Sequence, residues 1–539
     1  MTKDGKDKGY RQASRNTLTK ILTAGISLVR LRKDRASASS MSHPGPQSAS
    51  KQTSLTTHRP DPESHLPLPQ ASKMMDDSDQ QRHALRQAIE GGSFWTIPDL
   101  ELLRMIRREF PKELERLRNA TFLRDPNAPR PKGLSISESL YGQDYAEVNR
   151  TLVGVLALRW LWNNQYETFV GSQSPAPVVL KHESFDWLRS LFSGKLRSPE
   201  DIYTLITSMV INDLGKDPDL ATDYARLKGI DISKVNHDMI LYHAAGAGLV
   251  PALNRLTKQN RDVLLAGMKL GSDFNFGQLA QAENAPASLA GLLQMHGHDW
   301  AFEMRFMEQV LDLAGAAGHE DWTYAKKMIE PIFQSYRNVY DVAHAIIGGK
   351  TGLRAGYDII LMRKLELLHK TGYPRQFDIR VPADRATLRL FCLGNTIHEQ
   401  NADMYFVAFT QSVSEEIRHT LIHGLNVDGS VDEPAVQPTY MPAMLTKAVG
   451  NTSNGTHEEK TQAIVALLRY LARCLVVDRT SLEKLPRGVT VIERDVRKIS
   501  PVLDSKTFKE NPDVLDGEDI PEDQVANLAP EYGFRLEVQ

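Results

Sequence analysis

Cysteine is nearly absent: the 539-residue chain has two, Cys392 and Cys474. Each lies in an apolar run, LRLFCLG and LARCLVV, with neither a second cysteine nor a histidine at metal-ligand spacing. That excludes a disulfide framework or a thiolate zinc site and reads as two buried thiols of a reducing compartment. Long apolar runs are missing too. None approaches the roughly 20 residues of a bilayer span, so no membrane partner is expected. Neither charge sign is in excess, with 65 Lys and Arg against 67 Asp and Glu, and no nucleic-acid partner is expected either. Glycine-rich phosphate loops are lacking: Gly246/Gly248 and Gly348/Gly349 follow no strand pattern, and no Gly-x-Ser-x-Gly occurs. Alternating β-branched runs are scarce between residues 81 and 425, which leaves helix as the main element.

What is present is helical periodicity over most of the chain. The spacing predicts helices at Pro98–Leu117 with a break or kink at Pro111, and at Asn149–Asn163, Glu183–Phe192, Val235–Ala247 and Ala285–His296. It predicts further helices at Trp300–Ala316, Trp322–Ile346, Gly356–His369, Ala386–Phe391, Ile397–Phe409, Ser412–His423 and His457–Val477. The expected fold is all-α, one large helical bundle, with GVTVIERDV near residue 490 as a short strand. Residues 1–80 form a basic, Ser/Pro-rich tail without apolar periodicity, expected to be disordered. Residues 81–425 form the helical domain, 426–490 a loop-rich stretch with a docking helix, and 491–539 an irregular acidic tail. Leu18–Arg32 has the profile of a basic amphipathic presequence, but Asp4, Asp7 and Asp34 argue against it. The cytoplasm is the expected compartment and the mitochondrial matrix the alternative.

The stretch that organises the rest is DIYTLITSMVINDLGK, Asp201 to Lys216. Ile202, Leu205, Ile206, Met209 and Val210 recur at helical spacing, and the next position on that face is Asp213. A buried stripe that ends in a carboxylate demands a metal, an arginine or a set of N–H donors to receive the charge. Gly215 is expected to close the helix as its C′ residue, with Lys216 beside the negative end of the dipole.

The core of that stretch, Ile211-Asn212-Asp213-Leu214-Gly215-Lys216, resembles the signature of the HD-domain superfamily, in which His-Asp-Leu/Ile-Gly-Lys follows a buried helix. The resemblance implies a helical bundle in which His and Asp side chains hold one or two divalent ions, iron, manganese or zinc. It implies a metal-dependent enzyme acting on a small-molecule substrate, a phosphate-ester hydrolase foremost and a di-iron oxygenase in a minority. His182 lies where that family supplies its first His; His237, His243, His296, His298 and Asp299 are the downstream candidates. On this reading Asp213 is both ligand and catalytic residue, and Lys216 holds a phosphoryl oxygen.

The chain departs from the signature at Asn212, which stands where the second His is expected; an amide is a poor transition-metal ligand. His237 and His243 are six residues apart, about 120° around a helix, so both cannot point at one ion. The closing carboxylate is open among Asp299, Asp341 and Asp312, the last sharing with Arg305, Glu308 and Gln309 what reads as a solvated helix side. The alternative from another class is a non-catalytic helical interaction or scaffold protein with a degenerate HD fold. Two Glu-x-x-His pairs, Glu366/His369 and Glu416/His419, also match the di-iron four-helix pattern, with Glu399 as the lone extra carboxylate, although about one such pair is expected by chance. His398 reads as a core histidine, and Arg354, Arg363, Lys364 and Lys370 as a solvated basic patch.

Overall fold

The structure is a computed structural model that describes residues 84–120, 131–233, 235–478, 482–483 and 485–529. The expectations for residues 1–80, including Leu18–Arg32, lie outside the described residues. The chain is mostly helical, 67% against 4% strand, so the all-α class holds. Helices of nine residues or more are α1 (Asp99–Glu109), α2 (Pro111–Asn119), α3 (Ala146–Trp162), α4 (His182–Lys195), α5 (Pro199–Ile211) and α6 (Pro218–Lys228). Next come α7 (His237–Gly246), α8 (Lys258–Asp273), α9 (Asp299–Gly315), α10 (Glu330–Ile347) and α11 (Leu353–Lys370). The last are α12 (Pro382–Leu393), α13 (Glu399–Val407), α14 (Glu415–Asn426), α15 (Met441–Gly450) and α16 (His457–Leu475).

Local chemistry fixes many of the boundaries. Helix α5 starts at a capping box, Ser198 and Asp201 each accepting the other's backbone N–H, with Pro199 in the first turn. Thr456 and Glu459 do the same for α16. Phe110, at φ −120° and ψ 51°, breaks the chain between α1 and α2 because Pro111 has to sit in a first turn. The same constraint shortens the helix expected from Trp322: Pro331 lies in the first turn of α10, which begins at Glu330. The helix expected over Ala285–His296 is divided into a 3-10 turn, Pro286–Leu289, and one short turn, Ala290–Leu293.

The C-terminal third is more regular than its composition suggests. Strand β1 (Ala435–Thr439) pairs in parallel with β2 (Val489–Asp495), and β2 pairs antiparallel with β3 (Gln524–Leu528). The stretch expected near residue 490 is thus the central strand. The acidic segment beyond residue 491 supplies the end of β2, short helical turns and β3.

The core is densest where α3 meets α9. Every residue of α3 from Glu147 to Leu161 and of α9 from Ala301 to Gly315 is buried. Glycine makes the approach possible. A Cβ on Gly315 would lie 2.2 Å from the Arg150 carbonyl oxygen, and one on Gly154 2.9 Å from that of Leu311. A methyl group at Gly315 therefore has to push backbone apart. Gly315→Ala is expected to lower unfolding stability by about 2–3 kcal/mol in urea titrations followed by circular dichroism. Gly194→Ala, on α4 with nothing within 4 Å of the added methyl, is expected to be neutral or to gain up to about 1 kcal/mol.

Candidate functional site: a buried charged centre

Helix α5 ends at Ile211, and Asp213 begins a 3-10 turn, Leu214–Lys216. The turn folds Lys216 back on the acid three residues before it, Nζ to Oδ1 2.6 Å. The same ammonium lies 3.3 Å from Glu147 on α3, whose other oxygen accepts from Arg150 at 3.2 Å. All four side chains are buried. The partner that Asp213 requires is thus a lysine of its own turn.

A second cation sits beside the first. Arg305 of α9 donates to Asn212 Oδ1 at 3.0 Å and to both oxygens of Glu308 at 2.9 Å, and its Nη2 lies 3.5 Å from Asp238 of α7. Glu308 also accepts from Ser208 at 2.9 Å and from Gln309 at 3.2 Å. Two glycines open the space. A Cβ on Gly215 would fall 1.9 Å from the His237 carbonyl oxygen, and one on Gly271 2.4 Å from the Arg305 guanidinium. Gly215 is therefore required for close approach; its φ is not positive, and the C′ role expected of it is not what it performs.

The electrostatics divide the acids. Burial raises the Asp213 carboxyl, but Lys216, Arg150 and His237 outweigh it and hold the group well below the ordinary range. Burial, and then the charge of Asp213, hold Asp312 above that range against the pull of Arg150, Lys216 and Arg305. Burial likewise raises Glu308, with Arg305 and Ser208 opposing. Asp312, Arg305, Glu308 and Gln309 are all buried, so the side of α9 expected to be solvated faces the interior instead.

Of the residues proposed as ligands or catalytic groups, the centre gathers Asp213, Lys216 and His237, the last in the first turn of α7 with Nε2 3.7 Å from Asp238. His182 is the first residue of α4, exposed, its ring stacked on Tyr166 at 3.5 Å between centroids. His243 packs against Tyr224 and Tyr242 beside a cavity of about 280 Å³. His296 is exposed, Nδ1 3.0 Å from the Ile347 carbonyl oxygen. His298 and Asp299 are exposed at the start of α9, and Asp299 lies about 20 Å along the axis from Asp312. Asp341 is exposed and faces Arg363 at 3.3 Å.

Glu366, Glu416 and His419 are exposed, and His369 is half-buried, so these pairs do not line a bundle core. Among the described residues no group of three or more His, Cys, Asp and Glu side chains is arranged to hold a metal ion. Asn212 and Glu308 accept from Arg305, and Asp213 Oδ1 faces Lys216.

Glu147, Arg150, Arg305 and Glu308 were not foreseen as members of this centre. Their signal was the pairing of opposite charges at i, i+3 inside helices whose remaining residues are mostly apolar. Arg305→Met is expected to cost about 3–5 kcal/mol in urea unfolding, because Glu308 and Asp238 lose their cation. For Asp312 the raised folded-state value means stability present below the ordinary Asp range and lost as pH rises from that range through the raised value. Asp312→Asn removes that loss. Its urea midpoint is expected to match wild type near pH 4 and to exceed it near pH 8.

No curated protein and no solved structure matches the chain. Among the described residues no helix is long and apolar enough to cross a membrane. One family model does match, over residues 103–515, a span that contains every residue of the charged centre. The chain belongs to that family, described as a family of unknown function (DUF6829).

Proposed function

We propose that the chain is a non-catalytic helical binding or scaffold protein whose HD-like centre is filled by its own cations. One observation carries this reading. The guanidinium of Arg305 lies among Asn212, Glu308 and Asp238, and the ammonium of Lys216 between Asp213 and Glu147. These are the positions in which a divalent ion would need open oxygen or nitrogen ligands. Lysine and arginine held there neutralise the carboxylates and leave no vacant coordination position for a substrate.

The metal-dependent hydrolase or oxygenase reading has one observation in its favour. His237 lies close enough to Asp213 to lower its carboxyl, and Asp213 close enough to Asp312 to raise that one. Elemental analysis of the untagged chain, before and after anaerobic reconstitution with iron, manganese or zinc, divides the two. The expected result is metal well below one equivalent, with thermal unfolding unchanged by a chelator. About one equivalent of metal that Asp213→Asn and His237→Ala both abolish, with folding retained, would overturn the scaffold reading.

A further inference from the structure

The cavity of about 280 Å³ beside His243 opens between α6, α7 and α8. Tyr224 and Lys228 line it from the last turns of α6, Tyr242, His243 and Gly246 from α7, and Leu265 from α8. The volume lies just below the usual range for drug-sized ligands, which limits the occupant to a small molecule.

The two sides of the cavity differ in chemistry. On one, the Tyr242 and His243 rings are tilted by 56° at 5.5 Å between centroids, and Leu265 completes an apolar wall. On the other, Tyr224 and Lys228 are four residues apart on α6 and so lie on one face. The Tyr224 ring is tilted by 50° to His243 at 5.8 Å and is 8% exposed. Its hydroxyl has no hydrogen-bond partner among the described residues and is open to solvent. Lys228 is exposed and pairs with no carboxylate among the described residues. One hydroxyl and one ammonium thus stand a helical turn apart with their protons unspent.

The charges narrow the ligand. No acidic side chain among the described residues lines the cavity, so a cation finds no counter-charge. Burial, and then the charge of Lys269, hold His243 below its ordinary value, which leaves the imidazole wall neutral. Lys228 is the last residue of α6, where the carbonyl end of the helix opposes a second negative charge. A single anionic group with an apolar body meets all three conditions. We propose that the cavity binds a small aromatic monocarboxylate. Its carboxylate takes the Lys228 ammonium and the Tyr224 hydroxyl, and its ring packs against Tyr242, His243 and Leu265. This assignment does not rest on the reading of the charged centre and stands or falls separately.

Calorimetric titration of the full chain tests it, with phenylacetate, acetate, 2-phenylethanol and benzylamine as probes. Saturable binding of phenylacetate is expected, with the other three each weaker by about fivefold or more. Lys228→Gln should weaken phenylacetate by about fivefold or more, and Tyr224→Phe by about threefold with an unchanged thermal midpoint. A Cβ on Gly246 meets nothing within 4 Å, so Gly246→Leu is expected to fold, to fill the cavity and to abolish binding. Three results would overturn the proposal: no saturation by phenylacetate up to about 20 mM, any of the other probes binding as tightly, or an affinity indifferent to Lys228→Gln or to Gly246→Leu.

Discussion

A carboxylate removed from water beside apolar helices costs several kcal/mol unless a cation meets it, and the middle of this bundle is built around that requirement. The cations come from close by in the chain. Asp213 is met by Lys216, three residues later in the same turn, and Glu308 by Arg305, three residues earlier on the same helix. Glu147 and Arg150 repeat the pattern on α3. Each element can therefore enter the core already close to neutral. Contacts between elements come second: Lys216 to Glu147 joins the α5 turn to α3, and Arg305 to Asn212 and Asp238 joins α9 to the α5 turn and to α7.

Directional contacts of this kind hold only if the backbones are at the right height and distance. Glycine sets both. Gly154 and Gly315 let α3 and α9 touch at the level of Arg150 and Leu311, and Gly215 lets the turn carrying Asp213 rest on the His237 carbonyl. Shifting α9 by one residue would turn Arg305 and Glu308 about 100° away from Asn212 and Ser208 and leave buried charges unmet. Phe302, Phe306, Met307, Val310 and Leu311 occupy the opposite half of α9. The polar row thus adds directional contacts to a register that hydrophobic packing also favours.

How much of this was legible in the sequence follows from the same physics. The apolar spacing of α5 was readable because one face alone carried it, and Asp213 stood out as a charge on that face. Its need for a partner followed from burial; that the partner is Lys216 did not, because a 3-10 turn after Ile211 brings the two together where a continued helix was expected. The polar row of α9 was misjudged for the opposite reason. On a helix buried all round, a charged side looks like a solvated one, and only its i, i+3 pairing of signs tells them apart. Strand β1, Ala435-Val-Gln-Pro-Thr, was hidden by Pro438, which can sit in a strand only where its missing N–H is not called upon. The ends set by Pro111 and Pro331 were visible in principle, and the second was missed because periodicity ran on through it.

Burial alone is a poor guide to activity. In the centre, acids and bases of matched sign face one another at 2.6 to 3.5 Å, and the low-dielectric surroundings strengthen each contact. The matching is incomplete: Arg150 Nε and Nη2 and Arg305 Nε are buried there without a hydrogen-bond partner. The centre therefore fixes the register of its helices through the paired edges of the guanidiniums, and the unpaired N–H groups are a cost that the matched charges offset.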